Sequence, residues 1–305
     1  MNAVHAGYTK TPQGILLVDK EPGPSSFALV RRARATLGAK RVGHAGTLDP
    51  LASGLMVLMV GSYTRLSDLL TGHDKTYEAE IAFGRATTTD DAAGDVLEEG
   101  DAGQLDEAKV RAALVRFVGE QTQVPPTYCA VHVQGKRAYR LARAGKPVTV
   151  PPRTIHMREI RLLRWAAPVA RARVRCSKGT YIRALARDVG RAVGVPAHLA
   201  ALRRTSCGPY AVEDALAQSR LTDPDAVLNA LHQGPSTVPA CSRVVVDEEM
   251  KSRLCRGQQV TMRKTRRLSE PESLEGTAVA FCGGELVALV RRQADTLIPL
   301  RVVAV

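Results

Sequence analysis

The sequence predicts an α+β protein that has one large domain and a small β-rich domain at its carboxyl end. Its 305 residues, 45% of them hydrophobic, are enough for one large core and a smaller one. Segments in which apolar and polar residues alternate are interleaved with segments of helical period. A stretch rich in Gly, Pro and Ser, "HQGPSTVPACSR" (232–243), predicts a linker before a strand-rich tail.

The individual elements follow from their periods and from the residues at their ends. "GILLVDK" predicts a strand, and "SSFALVRRARATLG" predicts a helix with a Ser cap and a terminal glycine. "LMVLMVG" is either a buried strand or a short helix core, whereas "KTYEAEIAFG" predicts a strand whose apolar face begins at Tyr77. "LDEAKVRAALVRFVG" and "KGTYIRALARDVGRAVG" predict helices. In the tail, Gly283 and Gly284 separate two β-runs and predict a two-residue hairpin.

The strongly basic composition points to a polyanionic partner. The chain carries 43 Lys and Arg against 30 Asp and Glu, a formal net charge of +13, and its isoelectric point is about 9.8. Such charge costs self-repulsion and usually serves attraction, which makes nucleic acid the leading candidate. The amino terminus lacks the apolar region of a secretory signal, and no apolar run reaches the length of a spanning helix. We therefore expect a soluble, cytoplasmic protein with no membrane partner.

The six cysteines predict reduced thiols that mostly pack in the core. They lie at least 14 residues apart, so the sequence has neither a Cys-x-x-Cys pair nor a Cys/His cluster with zinc spacing. It also lacks a P-loop and a dinucleotide fingerprint. We expect no metal, no cofactor and no obligate protein partner, and a monomer is the plain expectation.

The positive charge is concentrated in one region of the sequence. Residues 134–187 contain fifteen Lys and Arg and one acid, whereas residues 90–107 contain eight acids and no base. Within the basic region "ARARVRC" (170–176) alternates strictly, which predicts a half-buried strand with three arginines on its outer face. A merely soluble strand is the alternative to a surface that binds RNA phosphates. The predicted backbone-binding residues are Lys136, Arg137, Arg140, Arg143, Arg171, Arg173, Arg175 and Lys178.

A single carboxylate stands out against basic surroundings near the amino terminus. Asp49, in "RVGHAGTLDPLASGLMVLMVG", is the only acid in residues 22–67, and it would repel an arriving phosphate. A loop Asp commonly caps a helix or forms an Asx turn, which is one explanation for its presence. Pro50 and the neighbouring glycines also predict a rigid loop, a geometry that suits a nucleophile. Composition and spacing leave both explanations open.

Five motifs occur in an order that resembles one known family. "GILLVDK" is followed by "GHAGTLDPLASGLMVLMVG", "KTYEAEIAFGRATTTDDAAG", "QVPPTYCAVHVQGKRAYRLARAGKPV" and "VRCSKGTYIRALARDVG", the last with "AHLAALRRTSCGPY" behind it. In wording and order these segments resemble the TruB family of tRNA pseudouridine synthases over roughly residues 13–215. Single short motifs match by chance, but five in sequence are specific to a family.

The resemblance implies a catalytic role for one residue and supporting roles for two others. The nucleophilic Asp of the family corresponds to Asp49, and its Arg partner corresponds to Arg183. A guanidinium beside a carboxylate would hold it ionised at neutral pH. The Tyr that stacks on the flipped base corresponds to Tyr77. Without the resemblance, Arg183 would be a further phosphate contact and Tyr77 a core residue of its strand.

Three further residues correspond to positions around the family's uridine pocket. His44 matches the motif His that helps to hold the flipped T-loop nucleotides, and its alternative role is loop packing. Leu202 matches an apolar residue that lines the pocket, and its alternative role is as a core residue. Lys20 aligns with the Lys of the first motif, as a structural residue or one near the pocket. Many members read Lys-Pro-x-Gly there, whereas this chain reads "KEPG" at 20–23, which adds an acid.

The resemblance also implies a fold and a division into domains. We expect a pseudouridine synthase catalytic domain over residues 1–235, with a mixed, mainly antiparallel sheet and flanking helices. Its basic segment 124–152 corresponds to a thumb-like insertion that would close over the T loop. Residues 241–305 would form a small β-rich PUA-like domain that binds RNA.

The implied activity is isomerisation of the uridine at position 55 in the T stem-loop of tRNA. The base would be flipped out of the loop, and Asp49 would act as a nucleophile at C1′ or C6, or as the base that removes a sugar proton. Two rival functions remain at this point. A noncatalytic RNA-binding or RNA-folding protein would have no need of Asp49 with Arg183, and a hydrolase of nucleoside bonds would need a second acid to activate water.

Overall fold

The computed structural model describes residues 12–129, 131–133, 135–138, 141, 144, 149–234, 237–238, 242–262 and 275–304. By their internal contacts the residues form two units. The first unit consists of Met1–Asp49, Leu55–Thr71 and Gly208–Val305, and the second consists of Pro50–Gly54 and Gly72–Cys207.

Short helices and many strands make up the described part of the chain. The helices are α1 (Ser26–Thr36), α2 (Ser67–Thr71), α3 (Glu107–Val115), α4 (Ile182–Val193), α5 (Pro224–Asn229) and α6 (Glu248–Cys255), with 3-10 turns at Gly61–Leu66, Val212–Asp214 and Gln218–Thr222. The strands are β1 (Gly14–Lys20), β2 (Val42–His44), β3 (Ser53–Val60), β4 (Lys75–Phe83), β5 (Arg85–Thr87), β6 (Val96–Glu99), β7 (Gly119–Gln123), β8 (His132–Val133), β9 (Lys136–Arg137), β10 (Arg153–Ala166), β11 (Val169–Cys176), β12 (Ala197–Cys207), β13 (Tyr210–Ala211), β14 (Leu216–Ala217), β15 (Leu231–His232), β16 (Ser242–Val245), β17 (Val260–Thr261), β18 (Glu275–Cys282), β19 (Glu285–Gln293) and β20 (Thr296–Val302).

In the first unit, the two apolar strands β1 and β3 lie side by side. Strand β1 lies between β14, with which it pairs in parallel, and β3, and it also pairs with β15 in the antiparallel direction. Strand β2 pairs antiparallel with β3. The apolar run that could have been a strand or a helix core is therefore strand β3, and its buried residues occupy both faces, as in a strand covered on each side.

Helix α1 has the ends that its sequence predicts. The Ser25 hydroxyl accepts a hydrogen bond from the Ala28 amide at 3.2 Å, which caps the first turn. The helix buries Leu29, Val30 and Ala33 on one side. It ends before Gly38, whose φ of +57° is a left-handed conformation that glycine adopts without strain.

The carboxyl-terminal strands form a separate five-stranded sheet within the first unit. Their order is β16-β18-β19-β20-β17, parallel only between β16 and β18. Gly283 and Gly284, with φ of +54° and +83°, connect β18 to β19, so the predicted two-residue hairpin is confirmed. Apolar side chains from these strands and Leu254 of α6 form a core, which confirms a β-rich carboxyl-terminal region.

In the second unit, long antiparallel strands form the main sheet. The order is β12-β4-β11-β10-β7, and Ser53 and Gly54 pair in parallel with Arg203 and Arg204 of β12. Helix α4 packs on β12 and β4, and α3 packs on β10 and α4. The predicted α+β class with a mixed, mainly antiparallel sheet and flanking helices is confirmed.

Three further predictions concern the domain boundary, the cysteines and membrane-spanning segments. The boundary between residues 235 and 241 stays a prediction, and residues 235–236 and 239–241 of the proposed linker lie outside the described residues. Of the described cysteines, Cys255 is exposed and the others are buried. None of the helices in the described ranges is long and apolar enough to cross a membrane.

Gly54 is a position where the fold tolerates only glycine. Its φ is +96°, and a Cβ atom there would lie 2.2 Å from the Arg204 carbonyl oxygen and 2.7 Å from the Arg204 amide nitrogen. Gly119 has nearly the same φ, +99°, but open space around the Cβ position. A comparison of alanine substitutions at the two glycines therefore separates the cost of backbone strain from the cost of a steric clash.

We predict that Gly54→Ala lowers the free energy of unfolding by about 2 kcal/mol more than Gly119→Ala does. Both variants carry the strain of a non-glycine residue at positive φ, about 1–3 kcal/mol, and only Gly54→Ala adds overpacking of roughly similar size. Urea unfolding followed by circular dichroism measures both changes. Equal losses in the two variants would show that the contact with Arg204 costs nothing.

Candidate functional site

The loop that carries Asp49 is braced by one buried hydroxyl. Ser26, the first residue of α1, donates from Oγ to the Leu48 carbonyl oxygen at 2.7 Å and accepts from the Leu48 amide at 2.8 Å. At the start of the loop, the Ala45 amide donates to the Val57 carbonyl of β3 at 2.9 Å. Asp49 itself is half-buried. The residue before Asp49 is thus fixed through both of its backbone polar groups, which supports the predicted rigid loop.

Two more of the predicted site residues lie in the first unit. His44 ends β2, opposite Leu58, and is half-buried. Lys20 ends β1 and is completely buried, and its Nζ donates to the Glu21 carbonyl at 3.0 Å. Glu21, the additional acid of "KEPG", is exposed, and its amide donates to the Gln218 side chain at 3.2 Å.

Tyr77 and Leu202 share one face of the sheet in the second unit. Tyr77 on β4 pairs with Arg204 of β12, and Ala79 pairs with Leu202 two residues further along. Both predicted residues are buried. Burial raises the pKa of Tyr77 to about 12, an effect opposed by the charge of Arg204, which also hydrogen-bonds to it. The phenol is therefore protonated at physiological pH.

Arg204 is a member of this cluster that the sequence prediction missed. It is 1% exposed, which makes it one of the largest fully buried side chains. Lys75, at the start of β4, is buried beside it, and the pKa of Lys75 is lowered by burial and by the Arg204 charge. The signal was present in the sequence, because a strand with Leu202 facing inward places residue 204 on the same face.

Arg183, the second residue of α4, is buried within the second unit. Its guanidinium donates to the backbone carbonyls of Thr89 at 2.9 Å and Tyr128 at 3.0 Å. The Asp91 carboxylate lies 3.6 Å from Nε, and this ion pair is almost fully buried. Asp91 is held in turn by the Thr89 hydroxyl at 2.6 Å and the Ala93 amide at 3.0 Å. Sequence reasoning did not select Asp91, because eight acids follow one another there without a pattern.

The residues next to Arg183 fix the start of the basic segment 124–152. The Gln123 side chain accepts from the Tyr181 amide at 2.8 Å and donates to the Tyr181 carbonyl at 3.0 Å. One turn along α4, Arg187 donates to Asp90 at 2.9 Å and to the Val124 carbonyl at 2.9 Å. Burial raises the pKa of Asp90, and the Arg187 charge opposes this rise.

The predicted backbone-binding residues are described only in part. Arg171, Arg173 and Arg175 lie on the exposed face of β11, as predicted, and Lys178 is exposed beyond its end. Lys136 and Arg137 form β9, but their side chains lie outside the description. Arg140 and Arg143 are not among the described residues. Within the described ranges, no group of three His, Cys, Asp or Glu side chains could hold a metal ion.

Family models and similar proteins place the chain in one family. A family model described as TruB family pseudouridylate synthase (N terminal domain) matches residues 34–182, and one described as tRNA pseudouridylate synthase B C-terminal domain matches residues 183–232. The tRNA pseudouridine synthase B of Burkholderia mallei (strain NCTC 10247) is 43% identical over 297 residues, covering 95% of this chain and 96% of its own. That of Thermobifida fusca (strain YX) is 48% identical over 210 residues, 66% of this chain and 72% of its own.

The fold is also found among solved structures. A chain in the crystal structure of a Cbf5-Nop10-Gar1 complex has a TM-score of 0.72 and 24% identity, and the match covers 95% of this chain and 85% of that one. A chain in the structure of an H/ACA RNP bound to a substrate RNA containing 2′-deoxyuridine has a TM-score of 0.72 and 22% identity, covering 96% and 85%. At this level of identity the likeness concerns the fold.

We predict that Asp91→Ala lowers the free energy of unfolding by about 3–5 kcal/mol, because removal of one partner of a buried ion pair leaves a buried charge. A matched control is Glu99→Ala, which removes the exposed pair between Arg85 and Glu99, 2.8 Å apart with both side chains 63% exposed. That change should cost no more than about 1 kcal/mol. Urea unfolding measures both, and similar small losses would contradict a stabilising role for Asp91.

Proposed function

Because this chain belongs to the TruB family of pseudouridylate synthases, we propose that it converts uridine to pseudouridine at position 55 in the T loop of tRNA. The observation that carries the proposal is the 43% identity to a tRNA pseudouridine synthase B over nearly the whole of both chains. The braced loop that carries Asp49 in the first unit supports it, because a nucleophile must be held in position.

The proposed reaction is an isomerisation that needs only the groups of this chain and the RNA. The target uridine is flipped out of the T loop, at an unstacking cost of roughly a few kcal/mol. The N1–C1′ bond then breaks, the uracil turns, and a C5–C1′ bond forms. The C5 proton is lost while N1 gains a proton, so the product has the same atoms as the substrate. Asp49 supplies the carboxylate that assists bond cleavage, as a nucleophile or as the base that removes a sugar proton.

The other predicted residues have supporting roles in this proposal. Tyr77, whose hydroxyl stays protonated, provides an aromatic ring on which the flipped base can stack. Arg183 provides a cation that favours the ionised form of a carboxylate. Leu202 contributes apolar surface, His44 holds flipped loop nucleotides, and the buried Lys20 is a structural residue of the first unit.

The wider binding surface of the proposed enzyme is basic. We propose that segment 124–152 with Lys136, Arg137, Arg140 and Arg143 closes over the T stem-loop, and that Lys178 contacts its backbone. Residues 241–305 act as a PUA-like RNA-binding domain beside the catalytic domain at 1–235. The proposed enzyme is a cytoplasmic monomer that flips its target base and requires neither a cofactor nor an obligate protein partner.

We predict that Asp49→Asn binds a T stem-loop RNA with unchanged affinity but forms no pseudouridine. The amide has the shape of the carboxylate but is neither a nucleophile nor a base, so chemistry is lost while binding remains. Chemical detection of pseudouridine after incubation, with filter binding in parallel, provides the measurement. Asp68→Asn, at an exposed acid paired with Arg301, is the matched control and should retain full activity. Normal product from Asp49→Asn would refute the assignment of a catalytic carboxylate.

We predict that Tyr77→Phe retains most of the activity, whereas Tyr77→Leu lowers kcat/KM by about 10–100-fold, since stacking of a base on an aromatic ring contributes roughly 1–3 kcal/mol. Because burial raises the pKa of Tyr77 to about 12, its hydroxyl stays protonated up to about pH 10. The activity of Tyr77→Phe should therefore follow pH as the wild type does over that range. A Phe variant as inactive as the Leu variant would instead assign the chemistry to the hydroxyl.

A further inference from the structure

The main sheet of the second unit presents two faces of different chemistry. On β4 and β12 the inward face carries Tyr77, Leu202 and Arg204, all buried. Strand side chains alternate, so the outward face carries the residues between them. On β11 these outward residues are Arg171, Arg173 and Arg175, whereas the intervening residues are buried. A base stacked on Tyr77 would thus lie on the opposite side of the sheet from these arginines.

Four outward arginines lie on the β10–β11 hairpin as two directly opposed pairs. Arg161 of β10 pairs in register with Arg173, and Arg164 pairs with Arg171. Like charges directly opposite each other, with Cβ atoms about 5 Å apart, destabilise a sheet. We refer to Arg161, Arg164, Arg171 and Arg173 as the arginine quartet. Their arrangement opposes stability, which indicates that they serve a ligand.

A bulge in β10 brings Arg164 into the quartet. The register shifts between Leu162 and Arg164, so that Leu163 is an extra residue and Arg161 and Arg164 both face outward. Without the shift, alternation would turn residue 164 inward. Bulges commonly re-aim a side chain at a site of function.

Intramolecular carboxylates compensate the quartet only in part. Arg171 forms an ion pair with Glu78, but the side chains of Arg161, Arg164 and Arg173 form no ion pair or hydrogen bond with another residue of the described chain. All four are exposed. On the neighbouring strand β4, Glu78 and Glu80 stand opposite Arg173 and Arg171. The uncompensated charge is therefore a stripe two strands wide.

We propose that the arginine quartet binds the phosphate backbone of an RNA segment other than the stem-loop that is modified on the inward face. A narrow stripe bordered by carboxylates suits one phosphodiester strand better than a broad anionic surface, which would also meet Glu78 and Glu80. Successive outward residues lie about 7 Å apart along a strand and about 5 Å apart between strands, within the reach of guanidinium forks to adjacent phosphates. The inference rests on the proposed function, because the second segment belongs to the same RNA.

The test compares two variants of equal charge in the full-length chain. The quartet variant carries Arg161→Gln, Arg164→Gln, Arg171→Gln and Arg173→Gln. The control variant carries four changes at exposed arginines elsewhere, namely Arg111→Gln, Arg116→Gln, Arg191→Gln and Arg220→Gln. Binding of a full-length tRNA transcript and of an isolated T stem-loop is measured over a series of salt concentrations, together with pseudouridine formation in the stem-loop.

We expect the quartet variant to bind full-length tRNA at least about 10-fold more weakly at low salt, with a log–log salt slope shallower by about 2 to 3. The quartet variant should bind and modify the isolated stem-loop as the wild type does. The control variant should match the wild type in every assay. If circular dichroism shows that the four changes impair folding, the single variant Arg164→Gln is used instead. It should reduce the salt slope of tRNA binding by about 1.

Three outcomes would overturn the proposal. Equal losses on tRNA and stem-loop would assign the quartet to the interface of the modified loop, and unchanged tRNA binding would remove it from RNA recognition. Loss of binding to phosphatidylglycerol vesicles, with RNA binding intact, would assign it to a membrane surface. Failure of the proposed function is distinguishable, because the wild type would then form no pseudouridine while the binding comparison would still give its result.

Discussion

The buried charge of Arg183 is the constraint on which the arrangement of the second unit depends. A guanidinium out of water is costly unless acceptors surround it, and here they come from separate parts of the chain. The loop before β6 supplies the Thr89 carbonyl and the Asp91 carboxylate, and the segment after β7 supplies the Tyr128 carbonyl. Movement of either segment away from α4 would leave the charge unsatisfied. The cation therefore fixes the position of two loops whose own sequences do not form regular structure.

Arg187 extends the same principle by one helical turn. It donates to Asp90 in the first of these loops and to the Val124 carbonyl in the second. Asp90 has a φ of +59°, which is unusual for a residue other than glycine, and the ion pair with Arg187 helps to offset this conformation. Two arginines on one side of α4 thus anchor residues 124 and 128, at the start of the basic segment. A segment proposed to close over RNA has a fixed base from which to do so.

The fold could be predicted from the sequence where periodicity decides it, and the buried polar contacts of Arg183 and Leu48 could not. Alternation identified β4 and β11 and the outward direction of Arg173, and the capping residues identified α1. The burial of Arg183 could not be derived from its helix, because polar residues beside an apolar stripe ordinarily face water. The brace between Ser26 and Leu48 joins residues far apart in sequence, and no local pattern encodes such a contact. Family resemblance selected Asp49 and Arg183, whereas the structure added Asp91 and Arg204.

The bulge in β10 sets the direction of side chains on both faces of the sheet. By adding Leu163 it turns Arg164 outward, and by the same shift it turns Trp165 inward, where its ring meets Phe83 of β4 edge to face at 5.9 Å. The packing of Trp165 resists a slip of the register, since moving by one residue would expose the indole and bury an arginine. The hydrophobic contact on the inward face therefore stabilises the arrangement of charges on the outward face. This explains how two opposed arginine pairs persist in a sheet that their repulsion would otherwise weaken.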